Sequence, residues 1–233
     1  MTWRSKVDDF AVALAYEWQI GGRVGEWFLD FESNVFINCP FDPHYKSLLR
    51  PMLFAVVYLG LKPRIALETM DAGQARMEKI ASLIRESKYS IHDISRIEAV
   101  KIGELFRLNM AFELGVDFGC RYFGSEPHTG KKTLILESHG HRYKAALSDL
   151  SGCDIESHGD VPYRVITVVR NWLKNSCKIK AVGPARISAE FTQFMADNYD
   201  ALVDDGFSKD DIEDLPIGEL VERMQAWVAV PLS

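Results

Sequence analysis

The sequence predicts an α/β domain on a parallel, doubly wound sheet, with helical segments before and after it. Three observations predict this. Apolar runs of four to six residues alternate with helix-period stretches between about residues 33 and 178. The runs are apolar on both sides, as strands covered by helices on both faces must be. Polar residues gather just after the ends of these runs.

The elements follow in order. In residues 1–32, Val7, Phe10, Ala11, Leu14, Ala15 and Trp18 recur at helical spacing, Gly21 and Gly22 interrupt, and Trp27, Phe28, Leu29 and Phe31 form a second apolar cluster. This N-terminal helical extension is open to two readings, a helix packed on the main domain or an oligomer or partner contact. Residues 33–183 carry the α/β domain. Asn34–Cys39 reads as the first strand and Tyr45 to Leu59, ending at Gly60, as a helix with Leu48, Leu49, Met52, Leu53, Val56 and Val57 on its apolar side. Pro63–Glu68 is the second strand, and Gln74 to Ser87 the second helix, with Met77, Ile80, Ala81 and Ile84 along one side. Tyr89–Ile94 is the third strand, Asn109 to Cys120 the third helix, and Thr133–Glu137 the fourth strand. A helix over Val161 to Asn175 leads to an expected last strand near Lys178 to Val182. Residues 184–233 read as a C-terminal helical extension, with stripes through Ile187, Phe191, Phe194, Met195, Tyr199 and Leu202, and through Leu220, Val221, Met224 and Trp227. The acidic connection from Asp204 to Asp214 reads as a solvated loop, without the ligand spacing of a calcium loop.

Composition narrows the function. The 233 residues are 47% hydrophobic with a formal charge of -6, so a globular chain is expected, without the basic footprint of a general nucleic-acid binder. No apolar run reaches spanning length and the N-terminus lacks a signal-peptide core. Cys39, Cys120, Cys153 and Cys177 are widely spaced, with no CxxC, and read as reduced thiols of a cytoplasmic protein with no membrane association. Neither GxGxxG nor a P-loop is present, and no Gly-x-Ser-x-Gly elbow accompanies Ser148, Asp149, Asp154 and His158. His139 and His141 lack further ligands at metal spacing, so no metal is expected.

Ligands of open α/β sheets bind beyond the carboxyl ends of the strands, where strand order switches. Candidates there are Asn38, Phe41 and Tyr45 after the first strand, Glu68 after the second, and Asp93 and Ser95 after the third. Arg76, Arg107 and Asn109 lie in the segments that follow. Phe41 and Tyr45 suit stacking on a base, and Arg76 and Arg107 suit phosphate. Asp42 before Pro43 reads as a turn or helix cap. Asn109 reads as the cap of the third helix, placing Glu113 near its start, where the helix field favours a carboxylate anion. Asp93 suits a ribose hydroxyl or base edge. Its neighbour His92 alternates with it and so is expected to face away, into the core.

Three segments carry a resemblance: Val35-Phe36-Ile37-Asn38-Cys39-Pro40-Phe41, a strand ending in His92-Asp93, and Phe112-Glu113-Leu114-Gly115 opening a helix. Over about residues 33 to 140 the chain resembles the superfamily of TIR domains and nucleoside 2-deoxyribosyltransferases. The resemblance implies a flavodoxin-like (Rossmann-like) three-layer sandwich with a parallel sheet of about five strands. It also implies a Glu that acts at the anomeric carbon of a ribosyl group, and the transferases often carry it as Glu-Leu-Gly. On this reading Glu113 and Asp93 are catalytic. Six residues before Glu113, where the transferases often carry Asp, stands Arg107. An arginine favours a nucleotide or NAD over a free nucleoside. The Ser or Trp that precedes the TIR glutamate is absent.

The expected function is hydrolysis of an N-glycosidic bond in NAD or a nucleoside monophosphate, with no cofactor beyond that substrate. The alternatives are a silent nucleotide-binding module that signals through oligomerisation, as TIR-like domains do in bacterial antiviral defence, and a deoxyribosyltransferase. The expected partners are a nucleotide and a second copy or partner protein held through the terminal helices.

Overall fold

The computed structural model describes residues 30–68, 75–96, 108–140 and 147–229. Five strands, β1 (Asn34–Asn38), β2 (Lys62–Ile65), β3 (Tyr89–Asp93), β4 (Lys132–Glu137) and β5 (Ile155–Ser157), form one sheet in the order β2-β1-β3-β4-β5. Every pairing is parallel. This is the flavodoxin-like strand order, whose switch point lies between β1 and β3. Around it run α1 (Lys46–Tyr58), α2 (Arg76–Arg85), α3 (Asn109–Phe123), α4 (Pro162–Cys177), α5 (Pro184–Asp204), α6 (Lys209–Glu213) and α7 (Ile217–Ala229). No helix among the described residues is long and apolar enough to cross a membrane.

Strand parity divides the core. Val35, Ile37, Tyr89, Ile91, Leu134 and Leu136 face α1 and α4. Phe36 faces α2 with Ile80, Leu83 and Ile84, and Ile135 faces α3 with Met110 and Leu114. The register pairs Phe36 with Ser90 and Asn38 with His92, so these four share the α2–α3 face. Asp93 therefore shares the opposite face with Ile91. The C-terminal helices join the first core: Ile187, Phe194 and Leu202 of α5 and Leu220 and Met224 of α7 are buried with α1. Phe54 of α1 meets the Phe194 ring at 5.5 Å and the Trp227 ring at 5.9 Å.

Local chemistry sets the boundaries. Asp42 accepts the Tyr45 backbone N–H (3.2 Å), with Pro43 in the first position of a 3-10 turn that leads into α1. Gly60 closes α1 at φ +79°, a conformation that favours glycine. Pro162 and Pro184 open α4 and α5 at positions where no N–H is needed. In the acidic connection, Ser208 and Asp211 form a reciprocal capping box that starts α6.

The last strand differs from expectation. Residues 178–182 form no strand, because Lys178 ends α4 in a left-handed conformation (φ 54°). The Arg170 guanidinium then takes the carbonyls of Ala181 (2.7 Å) and Val182 (2.6 Å). The fifth strand is instead Ile155–Ser157, ahead of the helix. It has three residues and a single buried-side apolar group, too little for a periodic signal. The expected helix at Val7–Trp18 and the cluster Trp27–Leu29 lie outside the described residues. Phe31, the end of that cluster, is buried and meets the His128 ring edge-on at 5.7 Å.

Candidate functional site

A cleft of about 510 Å³ opens at the carboxyl edge of the sheet, beside the β1–β3 switch point. Asn38, Cys39, Pro40, Phe41 and Asp42 form one wall as the chain leaves β1. Arg76, at the first position of α2, and Leu108, Asn109, Met110 and Glu113, at the start of α3, form the others. The volume lies within the range of small-molecule sites.

Glu113 is the cleft's buried charge, with 5% of its surface exposed. Among the described residues its nearest cation is the half-exposed Arg76, whose Nη2 lies 3.9 Å from Oε1, and no hydrogen bond reaches it. Burial pushes its carboxyl above the ordinary 4.5, and Arg76 pulls it part of the way back. This corrects the expectation of a helix-stabilised anion. Asn109 is the first residue of α3, Leu108 holds the cap position without a side-chain bond, and Glu113 falls in the second turn, where the terminal field has faded. Arg76 also lies over Phe41, its Cζ 6.0 Å from the ring centroid, so a cation and an aromatic face stand together at the mouth.

Beneath Glu113 lies a buried polar network. One turn further along α3, Asp117 has no exposed side-chain surface. Its Oδ2 accepts from Ser90 Oγ (2.5 Å), His92 Nε2 (3.1 Å) and Thr133 Oγ1 (3.2 Å), and its Oδ1 lies 3.1 Å from Lys131 Nζ. Lys131, equally buried, donates to the carbonyls of Ile84 (2.7 Å) and Ser87, so Asp117 Oδ1 has the ion pair but no hydrogen bond among the described residues. Burial alone would raise Asp117. The hydrogen bond from His92, the Lys131 ammonium and the Ser90 hydroxyl outweigh it and hold the carboxyl well below its ordinary 3.8. His92 Nδ1 faces Asn38 Nδ2 at 3.0 Å, and the same Nδ2 donates to the Met110 carbonyl at 3.0 Å. The network therefore ends at the cleft wall.

The structure brings Asn38, Phe41, Arg76, Asn109 and Glu113 together in this cleft and sends the other candidates elsewhere. Asp93 lies on the opposite face of the sheet, fully buried and saturated with donors. Its Oδ2 accepts from Tyr45 Oη and His158 Nε2 (2.9 Å), and its Oδ1 from the Ser95 backbone N–H (2.8 Å) and hydroxyl. Asp93 therefore does not line the cleft with Glu113, and its oxygens are taken by protein donors. Tyr45 and Ser95 are spent on Asp93 and do not line the cleft. Burial and the Asp93 charge push the Tyr45 phenol well up, so it remains a donor. Glu68 is also spent, accepting from Arg64 Nε (2.9 Å) and the Ile65 backbone N–H (3.1 Å). Arg107 lies outside the described residues, as do His141 and residues 69–73. His92 does face the core side, as alternation predicts. His158 binds Asp93 rather than Ser148, so no Ser-His-Asp relay forms with that serine.

Asp117 and Lys131 escaped the sequence reading. The one available signal was spacing: Asp117 follows Glu113 by four residues, on the same helix side. Cys39 was passed over as well. It is buried in the cleft wall, and burial together with the Asp93 and Glu113 charges pushes its thiol well up. The four cysteines are unpaired. Compared with family models, curated proteins and solved structures, the chain matches none.

Proposed function

We propose that the cleft binds a nucleotide, either NAD or a nucleoside monophosphate, and that Glu113 serves the hydrolysis of its N-glycosidic bond. The observation that carries this reading is Glu113 itself, a carboxylate buried in a cleft at the switch point with no hydrogen bond among the described residues. A carboxylate short of partners has its charge available to a ligand. The bond between the anomeric carbon and the base nitrogen breaks with its electron pair passing to the base. Water then bonds to the anomeric carbon and loses a proton. Positive charge develops on the sugar between these events, and a fixed carboxylate stabilises it more than it stabilises the ground state. Arg76 pairs with a phosphate oxygen and Phe41 offers a face to the base. Asp93, its oxygens taken by protein donors, is given no part.

A second reading, a nucleotide-binding module that signals through self-association, is favoured by one observation. Leu108 and Phe112 at the cleft end of α3, and Tyr122 and Phe123 at its far end, are exposed.

The test is chromatography for released base after incubation with NAD and nucleoside monophosphates, at low and high protein concentration. Wild type is expected to release base, and Glu113→Gln and Glu113→Ala to release about 10²-fold less or none, the scale of losing one preorganised electrostatic group. No release from any substrate at either concentration rejects the hydrolase. Tight binding without turnover supports the module, and exchange only on adding a second base points to the transferase.

A further inference from the structure

We infer that the buried Lys131–Asp117–His92 chain fixes the Asn38 side chain so that its carbonyl oxygen faces the cleft as an acceptor for a ligand O–H or N–H. Hydrogen-bond polarity dictates this orientation. The run from the Met110 carbonyl through Asn38 and His92 to Asp117 has a group that only accepts at each end. At one end the Met110 carbonyl lies 3.0 Å from an Asn38 amide atom, which must therefore be the NH2 nitrogen. That nitrogen also faces His92 Nδ1 at 3.0 Å, so Nδ1 must offer its lone pair. The ring proton then sits on Nε2 and points at Asp117 Oδ2, 3.1 Å away. At the other end Lys131 Nζ, 3.1 Å from Oδ1, keeps Asp117 an anion that can only accept. Reasoning from either end gives the same tautomer and the same amide orientation. With both amide hydrogens engaged, Asn38 Oδ1 accepts no hydrogen bond among the described residues, and Asn38 lines the cleft.

The consequence concerns the ligand. The depth of the cleft carries two acceptors, Asn38 Oδ1 and Glu113, while its mouth carries the Arg76 cation and the Phe41 ring. This arrangement suits a hydroxyl-rich group inside and an anion outside, the chemistry of a phosphorylated sugar. That second step rests on the nucleotide reading of the cleft. The polarity of the chain does not. Asp117 and His92 touch no ligand and are positioning residues.

The experiment uses the 233-residue chain labelled with ¹⁵N. Long-range ¹H–¹⁵N correlation is expected to show His92 with an unprotonated Nδ1 and a protonated Nε2. A proton on Nδ1 overturns the inference. Asn38→Asp places an acceptor against Nδ1 and is expected to draw a second proton onto the ring, and an unchanged neutral ring overturns the inference. In Asp117→Asn/Lys131→Met, with fold checked by circular dichroism, the Met110 end remains and the anionic end is gone, so an Nδ1-protonated form is expected to appear beside the Nε2 form; a spectrum identical to wild type shows that the Met110 end alone sets the polarity and overturns the role given to Lys131 and Asp117. Should that variant not fold, Asn38→Asp and the wild-type spectrum still decide. For the ligand step, NAD and ribose 5-phosphate are titrated against wild type and Asn38→Leu, with affinity expected to fall tenfold or more in the variant. Equal affinity removes the acceptor role. Failure of both to bind wild type overturns the nucleotide reading and the acceptor role together, and His92 then judges the chain alone.

Discussion

Asp117→Ala is the most demanding perturbation of this fold. The change leaves the Lys131 ammonium with carbonyl partners but no counter-charge, and it removes the common acceptor of Ser90, His92 and Thr133, all without exposure to water at the ion pair. Breaking a buried ion pair by removing one partner costs about 3–5 kcal/mol. At about 2–4 °C per kcal/mol for a chain of this size, the melting temperature should fall by about 6–20 °C. That is a large part of the about 5–15 kcal/mol that holds a domain together. The assay is urea unfolding at pH 7 of wild type, Asp117→Ala, Lys131→Met and the double variant. The double variant should recover much of the single loss, because no lone charge remains. Acid unfolding reads the same pair from the other side. A carboxyl held below its ordinary value adds stability above that value and loses it as pH falls. The gap between wild type and Asp117→Ala should therefore narrow as pH drops below 3.8. A loss under about 1 kcal/mol, or one indifferent to Lys131, would show that the pair is not the electrostatic tie described.

The remaining predictions concern the two sheet faces and α3. Glu113 is raised from 4.5, so it binds its proton more tightly when folded, and wild type should lose stability as pH climbs through that raised value. Glu113→Gln does not titrate, so its stability advantage should grow from pH 4 to pH 8 in thermal melts; parallel curves would remove the desolvated carboxylate. Tyr45→Phe deletes one donor to a buried carboxylate that keeps His158 and Ser95, and should cost about 1.5–3 kcal/mol in chemical unfolding. No loss would mean the phenol is idle. A Cβ at Gly115 or Gly119 of α3 meets nothing within 4 Å, so each alanine should stabilise the monomer by about 0.5–1 kcal/mol. Destabilisation instead would indicate close contact on that side.

The alternation of strands and helices was legible because it rests on periodicity, which is local. The β1, β3 and β4 runs are short and apolar enough to read on sight, while Ile155–Ser157 is too short and too polar. The carboxyl edge was legible as the place where polar residues collect. Which of them share a cleft was not, because one residue along a strand exchanges one face of the sheet for the other. Asp93 and His92 end the same strand and serve different networks. Glu68 and Tyr45 looked like ligand groups because the sequence does not show Arg64 or Asp93 waiting for them. Lys131 gave no signal: a lysine ahead of a strand reads as solvated until the fold closes over it.

Glu113 and Asp117 show how one helix separates two carboxylates by environment. They are four residues apart on the buried side of α3, with exposures of 5% and 1%, so burial alone would treat them alike. Their partners do not. Asp117 meets a buried ammonium, an imidazole and two hydroxyls, and its charge is spent inside the protein. Glu113 meets one guanidinium at 3.9 Å, half in solvent, and its carboxyl is pushed the opposite way. Two acids driven apart in this manner mark different duties, one structural and one facing a ligand. The division also fixes the helix that carries the cleft acid: hydrogen bonds from Ser90 and His92 of β3 and Thr133 of β4 to Asp117 hold α3 against the sheet one turn from Glu113.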